Sequence, residues 1–247
     1  MERFIRQMAI SGFGRECQQR LGQSCVLVVG MGGLGCSASL YLAAAGVGGL
    51  ILMDPQRVEL SNLNRQVLHW ERDVGRYKVE SAIEKLLSLN PQLKVEGRRE
   101  EANAQNLREL VGRADVVVDG TDNYATRYLL NEACVRLGKP FVHGAVEGFL
   151  GQITTILPGK GPCLRCIFPH PPPEKEGPPV LGATAGVVGC LEAMEAVKLL
   201  TGLGEPLVGR LLIFDGKGMH FEEVRVNRRA DCSVCSNQHD SDSSENL

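Results

Sequence analysis

The chain has 247 residues, 43% of them hydrophobic and 23% charged, and a formal net charge of −2. That length can bury one large core, and the near-neutral charge gives no broad electrostatic footprint for nucleic acid or an anionic membrane. Nine cysteines, an odd number, with no basic segment and cleavage site opening the chain, argue against a disulfide framework and for a reducing, cytoplasmic setting.

Residues 1–21 read as helical, with a Gly-Phe-Gly break at 12–14. No charged residue follows until after Met53, a stretch long enough to span a bilayer, yet its eight glycines, including two Gly-Gly pairs, cut it into short strands and a short helix. Residues 25–29 are all apolar, as a central parallel strand should be. Gly30, Gly32, Gly33 and Gly35 form a glycine turn, residues 34–45 a helix, and residues 50–53 a second strand ending at Asp54. Glycines there let backbone approach a phosphate at a helix N-terminus. An acid about 20 residues on is where such units hold a ribose.

Residues 54–70 are irregular and polar, and a helix is expected from Lys78 to the Asn90-Pro91 stop. A short strand at 93–96, a helix at 104–111, a strand at 115–119, a helix at 124–137 and a strand at 140–145 continue the alternation. This pattern predicts an α/β doubly wound, mainly parallel sheet. The pattern then becomes antiparallel: strands at 151–157, 210–215 and 220–226, with a long helix at 183–200 between them. Residues 158–166 read as a loop, 168–179 as a proline-rich mobile loop, and 237–247 as a disordered tail after a single domain over 1–236.

Cys163-Leu-Arg-Cys166 and Cys232-Ser-Val-Cys235 are matched pairs far apart in sequence. Four thiolates suit tetrahedral Zn²⁺ and leave no open position, so the expected role is structural. His143 on its apolar strand reads as a satisfied core histidine rather than a base, and the His69-Trp70 pair reads as packing. Cys25, Cys36 and Cys190 read as inert small hydrophobes.

Several short motifs occur together in order: Arg-x-x-Arg-Gln at 3–7, Gly-x-Gly-Gly-Leu-Gly at 30–35, Asp54, Ser-Asn-Leu-x-Arg-Gln at 61–66 and Val-Gly-x-x-Lys-Val-Glu at 74–80. Thr-Asp-Asn at 121–123, Gly-Gln-Ile-Thr at 151–154, the two cysteine pairs and Glu-Ala-Met-Glu-Ala-Val-Lys at 192–198 complete the set. Over about residues 3–235 the chain resembles the MoeB/ThiF/HesA group of sulfur-carrier adenylyltransferases, prokaryotic relatives of ubiquitin-activating enzymes. The resemblance implies an E1-like fold and use of ATP with Mg²⁺. It implies activation of the Gly-Gly carboxylate of a ubiquitin-like carrier as an acyl-adenylate, with release of pyrophosphate, for molybdopterin, thiamine or related biosynthesis.

In roles the resemblance implies, Gly30 to Gly35 approach the nucleotide and Asp54 holds the ribose. Asn62, Arg65 and Lys78 face the phosphates, with Ser61, Gln66 and Asn123 beside them, and Asp122 binds magnesium. Arg6 would be supplied from the neighbouring subunit of a homodimer. Taken singly, Arg65 or Lys78 reads equally as a surface cation, and Asp122 as a helix N-cap.

The chain departs from the group in three ways. Lys175 stands near the position where several relatives carry a cysteine, and no cysteine lies between Cys166 and Cys190. Adenylation without an enzyme thioester is therefore expected. Gln56 replaces a second acid, and sulfur is expected from another protein because the sequence ends soon after Cys235. Competing readings are an NAD-dependent oxidoreductase, resting on the glycine turn and Asp54, a non-catalytic nucleotide-binding adaptor, and an E1-like enzyme activating a peptide or modified tRNA.

Overall fold

A computed structural model describes residues 2–171, 173, 177 and 179–236. Lys175 and the tail at 237–247 lie outside the described residues, as does part of the proline-rich loop. The strands are β1 (Cys25–Val29), β2 (Gly49–Met53), β3 (Lys94–Arg98), β4 (Val116–Asp119), β5 (Phe141–Glu147), β6 (Leu150–Ile156), β7 (Arg210–Asp215) and β8 (His220–Arg225). They form one eight-stranded sheet in the order β3-β2-β1-β4-β5-β6-β7-β8. Pairing is parallel from β3 through β5 and antiparallel from β5 through β8. This is the doubly wound sheet with an antiparallel continuation that the alternation of elements predicts.

Both faces of the sheet are covered, and the strand residues divide between them with the period of two that a pleat imposes. Val26, Val28, Leu50, Leu52, Val116 and Val118 join one core with Leu21, Leu42 and Leu86. These come from α2 (Gly14–Gln23), α3 (Gly33–Ala45) and α4 (Lys78–Leu89). Leu27, Val29, Ile51, Met53 and Val117 join the other with Leu107, Leu110 and Leu130, from α5 (Ala104–Arg113) and α6 (Tyr124–Leu137). Because both faces are buried, the central strands read as apolar runs rather than alternating ones.

The break in the first helix is real and wider than expected: a short α1 (Ile5–Met8) precedes α2. The loop expected at 158–166 contains the start of a helical turn, α7 (Leu164–Ile167), whose Leu164 N–H donates to the buried Asn131 Oδ1 at 2.8 Å. The last helix, α8 (Gly182–Thr201), lies against α3 so closely that a Cβ on Gly189 would stand 2.6 Å from the Leu34 carbonyl oxygen. Among the described residues no helix is long and apolar enough to cross a membrane.

Strand order reverses between β1 and β4, where ligands of open α/β sheets sit beyond the carboxyl ends of the strands. Backbone contact there is very close. Gly30 has φ +91°, and a Cβ on it would lie 2.4 Å from Gly120 O; a Cβ on Gly35 would lie 1.9 Å from Gly30 O. Gly35→Ala should therefore destabilise the chain by about 1–3 kcal/mol, the usual cost of overpacking. A urea midpoint unchanged from wild type would show that the turn can open to admit a methyl group.

Candidate nucleotide site and cysteine cluster

The glycine turn is shaped from below by two side chains. Met31, at its centre, donates its N–H to Asp54 Oδ2 at 2.7 Å, and its carbonyl oxygen lies 3.1 Å from His69 Nε2. His69 Nδ1 is 3.0 Å from the Ser81 hydroxyl. A carbonyl only accepts, so Nε2 carries the proton and Nδ1 accepts from Ser81. Burial pushes the His69 pKa down, which keeps this ring neutral. His69 is thus more than packing: it fixes the turn. Its neighbour Trp70 is not packed inside but 48% exposed, with Arg72 and Lys85 at 4.5 and 5.0 Å from its ring centroid.

Asp54 also accepts from the Gln56 N–H at 2.7 Å, so each of its oxygens is engaged once and keeps a further lone pair. Gln56 links this carboxylate to Lys78. The Lys78 Nζ donates to Gln56 Oε1 at 2.6 Å, and the Lys78 N–H donates to Gln56 O at 3.0 Å. Lys78 is 4% exposed at the N-terminus of α4. The position where the resemblance expects a second acid therefore holds a neutral acceptor on the lysine.

The segment at 61–66 borders the same turn. A Cβ on Gly33 would lie 3.5 Å from Arg65 O, and one on Gly32 would lie 3.9 Å from Gln66 Nε2. Asn62 is buried and accepts the Glu59 N–H at 3.0 Å. Arg65 donates to Ser61 O and Asn64 Oδ1, both at 2.9 Å. The exposed Ser61 donates to Glu59 Oε2 at 3.2 Å. Gln66 is 4% exposed, and its Oε1 has no hydrogen-bond partner among the described residues.

On the β4 side, Gly120 touches Gly30 and leads into Thr121-Asp122-Asn123. Asp122 is exposed. The N-cap of α6 is Asn123, whose Oδ1 accepts the Thr126 N–H at 2.9 Å, so capping does not account for Asp122. Glycine turn, Asp54, Lys78, the 61–66 segment and Asp122 thus converge at the switch point.

Arg6 does not. Its neighbour Gln7 donates to Ala45 O at 2.9 Å, and Arg3 donates to Leu89 O, at the far ends of α3 and α4. Thirteen residues of α3 put this about 20 Å from Gly32. Arg6 is exposed there between Ile5 and Ile10, each more than half exposed.

The four paired cysteines meet on the second face of the sheet, all buried, with their sulfur atoms within 4.8 Å of one another. Cys163 and Cys232 sulfurs are 3.6 Å apart, Cys166 and Cys235 sulfurs 3.5 Å. A tetrahedral zinc site with Zn–S of about 2.3 Å has S–S edges of about 3.8 Å, so the donor set fits. The Arg229 N–H lies 3.4 Å from Cys166 Sγ, a contact typical of thiolate ligands. Of the other cysteines, Cys36 is fully buried and its thiol is pushed up to about 12, in keeping with an inert residue.

A buried polar group that sequence reasoning missed is Glu192 of α8. It is 0% exposed, and neither carboxyl oxygen has a well-formed hydrogen bond among the described residues. Its head packs on Gly144, where a Cβ would lie 2.6 Å from Oε1. Charge is sparse in this helix, confined to Glu192, Glu195 and Lys198, and that sparsity was the available signal. Burial, reinforced by Asp119, raises its pKa well above the ordinary value.

The chain belongs to the ThiF family, whose model it matches over residues 4–234. It is 48% identical over 243 residues to "Adenylyltransferase and sulfurtransferase MOCS3" of Drosophila ananassae, covering 96% of this chain and 54% of that protein. The corresponding Drosophila grimshawi protein is 49% identical over 244 residues, with the same coverage. The chain thus spans about half the length of the curated relatives it matches. Among solved structures, E. coli MccB with ATP superposes with a TM-score of 0.85 at 27% identity, covering 95% of this chain and 75% of MccB. MccB with MccA-N7isoASN gives 0.86 at 26%, covering 95% and 74%.

A carboxyl group with a raised folded-state pKa binds its proton more tightly folded than unfolded. It therefore contributes stability below its unfolded pKa that is lost as pH rises toward the folded value. Glu192→Gln keeps the shape and removes the proton. Relative to wild type it should gain melting temperature progressively from about pH 4.5 upward. Parallel melting curves of the two proteins across pH 4–9 would contradict this.

Proposed function

We propose that the chain is an ATP-dependent adenylyltransferase that activates the C-terminal Gly-Gly carboxylate of a ubiquitin-like sulfur carrier. The observation that carries this reading is the convergence of the glycine turn, Asp54, Arg65, Lys78 and Asp122 at one switch point. The Drosophila relatives named as adenylyltransferases and the similarity to a protein solved with ATP support it. A nicotinamide enzyme would leave Arg65, Lys78 and Asp122 without a task.

In this reading a carrier carboxylate oxygen attacks the α-phosphorus of ATP, and the bond to the bridging oxygen of the leaving pyrophosphate breaks. Positioning and charge neutralisation supply most of the rate. The Gly30–Gly35 backbone lets the phosphates approach the N-terminus of α3, and Asp54 accepts from the ribose hydroxyls with its remaining lone pairs. Gln66, whose Nε2 faces Gly32 and whose buried Oε1 has no partner among the described residues, offers a further polar contact with Ser61, Asn62 and Asn123. Arg65 and Lys78 offset charge building toward pyrophosphate. Asp122, an exposed carboxylate at the end of β4, suits Mg²⁺, which when bound supplies neutralisation of the phosphate oxygens. Arg6 sits about one helix length from its own site, and so we assign it to the site of a second copy in a homodimer, with Ile5 and Ile10 available to the interface.

The cysteine cluster takes one structural Zn²⁺, tying the segment after β8 to α7. No cysteine lies between Cys166 and Cys190, so the adenylate passes on without an enzyme thioester. The setting is the reducing cytoplasm, and the carrier serves molybdopterin, thiamine or related sulfur transfer.

Asp122→Ala should abolish carrier-dependent ATP–pyrophosphate exchange while circular dichroism and melting stay those of wild type; near-normal exchange would remove Asp122 from the reaction. Native mass spectrometry after zinc-replete expression should find one zinc per chain, and chelation should expose residues from 160 onward to proteolysis. A metal-free chain that resists the protease equally well would refute the zinc assignment.

A further inference from the structure

The Thr121–Asn123 turn rests on a buried ionic cluster to which the adenylation reading gives no role. Asp119, 0% exposed at the carboxyl end of β4, accepts at Oδ1 from the Thr121 N–H at 3.0 Å and the Thr121 hydroxyl at 2.6 Å. At Oδ2 it accepts from His143 Nδ1 at 2.7 Å, and Arg127 Nε stands 3.4 Å from the same oxygen. Arg127 then turns back to the loop: its second guanidinium nitrogen donates to Thr121 O at 2.8 Å, and its head lies 5.0 Å from the Tyr124 ring centroid. His143 is likewise fully buried, on β5, with Gln152 Nε2 at 3.5 Å from its other nitrogen.

All three polar groups of Thr121 are thus bound to one Asp–Arg pair. The next residue is Asp122, whose carboxylate has only the Asn123 amide nearby among the described residues, at 3.4 Å. Asn123 is anchored in turn as the cap of α6. On the other flank Gly120 is wedged against Gly30, with no room for a Cβ on either. The clamp therefore fixes the spacing between the Asp122 carboxylate and the glycine turn.

Such fixing has a chemical use. Mg²⁺ demands near-ideal octahedral geometry at about 2.0–2.1 Å from its oxygens, and a small misplacement of a reacting group is costly. A buried ion pair is a poor source of net stability, though breaking one is expensive. Burial pulls the Asp119 carboxyl up, but Arg127, His143 and Thr121 outweigh it and hold the pKa below the ordinary value. The carboxylate stays charged and keeps accepting.

We propose that Asp119, Arg127 and His143 are positioning residues that hold Thr121 so that Asp122 presents its carboxylate to a divalent cation shared with the phosphates of a nucleotide at the glycine turn. This rests on the nucleotide reading above. His143 supplies the removable part of the clamp, because its Nδ1–H is the only hydrogen bond it gives to Asp119.

The test is ATP affinity by titration calorimetry of the full chain, without any carrier, in Mg²⁺ and in EDTA. Wild type should bind ATP more tightly with Mg²⁺, and Asp122→Ala should lose that increment. His143→Leu should cut the increment by about tenfold, as for one hydrogen bond to a charged group, and leave the EDTA affinity unchanged. His143→Asn, which keeps an N–H for Asp119, should restore it. If His143→Leu folds poorly, Thr121→Val removes the 2.6 Å bond from the loop side and should give the same selective loss. Equal losses in both buffers, or none in either, overturn the clamp. A wild-type chain that binds no ATP under either condition overturns the nucleotide reading itself, and the clamp with it.

Discussion

The site depends on backbone packed against backbone where β1 and β4 diverge. Gly30 donates its N–H to Met53 O at 2.7 Å, and Gly120 donates to Val29 O at 2.8 Å, so each continues its strand pairing by one residue. Side chains are excluded at Gly30, Gly35 and Gly120, because a Cβ at any of them would fall inside another residue's backbone. Chain from two strands, which otherwise would be held apart by side chains, is thereby brought close enough for both sets of following residues to serve one ligand. Several groups of the site hang from this contact: Asp54 and His69 through Met31, Lys78 through Gln56 and Asp54, and Asp122 through Thr121.

That dependence explains which features the sequence disclosed. The glycine turn, the strand-tip Asp54 and the cysteine pairs are local patterns of spacing, and the structure sets Asp54 against the turn and brings the four cysteines together. The Gln56–Lys78 bond joins residues 22 apart, and the His143–Asp119 bond residues 24 apart; neither spacing has a local meaning. The cap of α6 is Asn123, one residue after Asp122; both are good caps by type, and only backbone direction separates them. Trp70 reads as packing in the sequence, yet cations on the exposed ring give it another environment. Helix α7 has only four residues, Cys166 among them, too few for periodicity to register.

The two buried acids near the site behave oppositely, for a physical reason visible in their surroundings. Asp119 lies among an arginine, a histidine N–H and a hydroxyl, and remains charged. Glu192, with Asp119 nearby and no good donor of its own, is driven toward the neutral form. A second full negative charge in this part of the core would compete for Arg127, whose guanidinium is already divided between Asp119 and the Thr121 carbonyl. Neutral Glu192 leaves that arginine to the loop.

Among the described residues the sheet has two open edges, β3 and β8. An unpaired edge offers a row of free N–H and C=O groups on which another chain can add a strand. Here both rows are guarded by charge. β3 reads Lys-Val-Glu-Gly-Arg, with Glu96 paired to Arg98 at 2.6 Å and Arg98 to Glu109 at 3.0 Å. β8 reads His-Phe-Glu-Glu-Val-Arg, exposed along its whole length, with Glu223 held by Arg210 at 3.1 Å. A strand arriving at either edge would have to strip water from these ionic groups before gaining its first backbone bond. Among the described residues the sheet has eight strands, with charge along both edges and the apolar run Val26–Val29 at its buried centre.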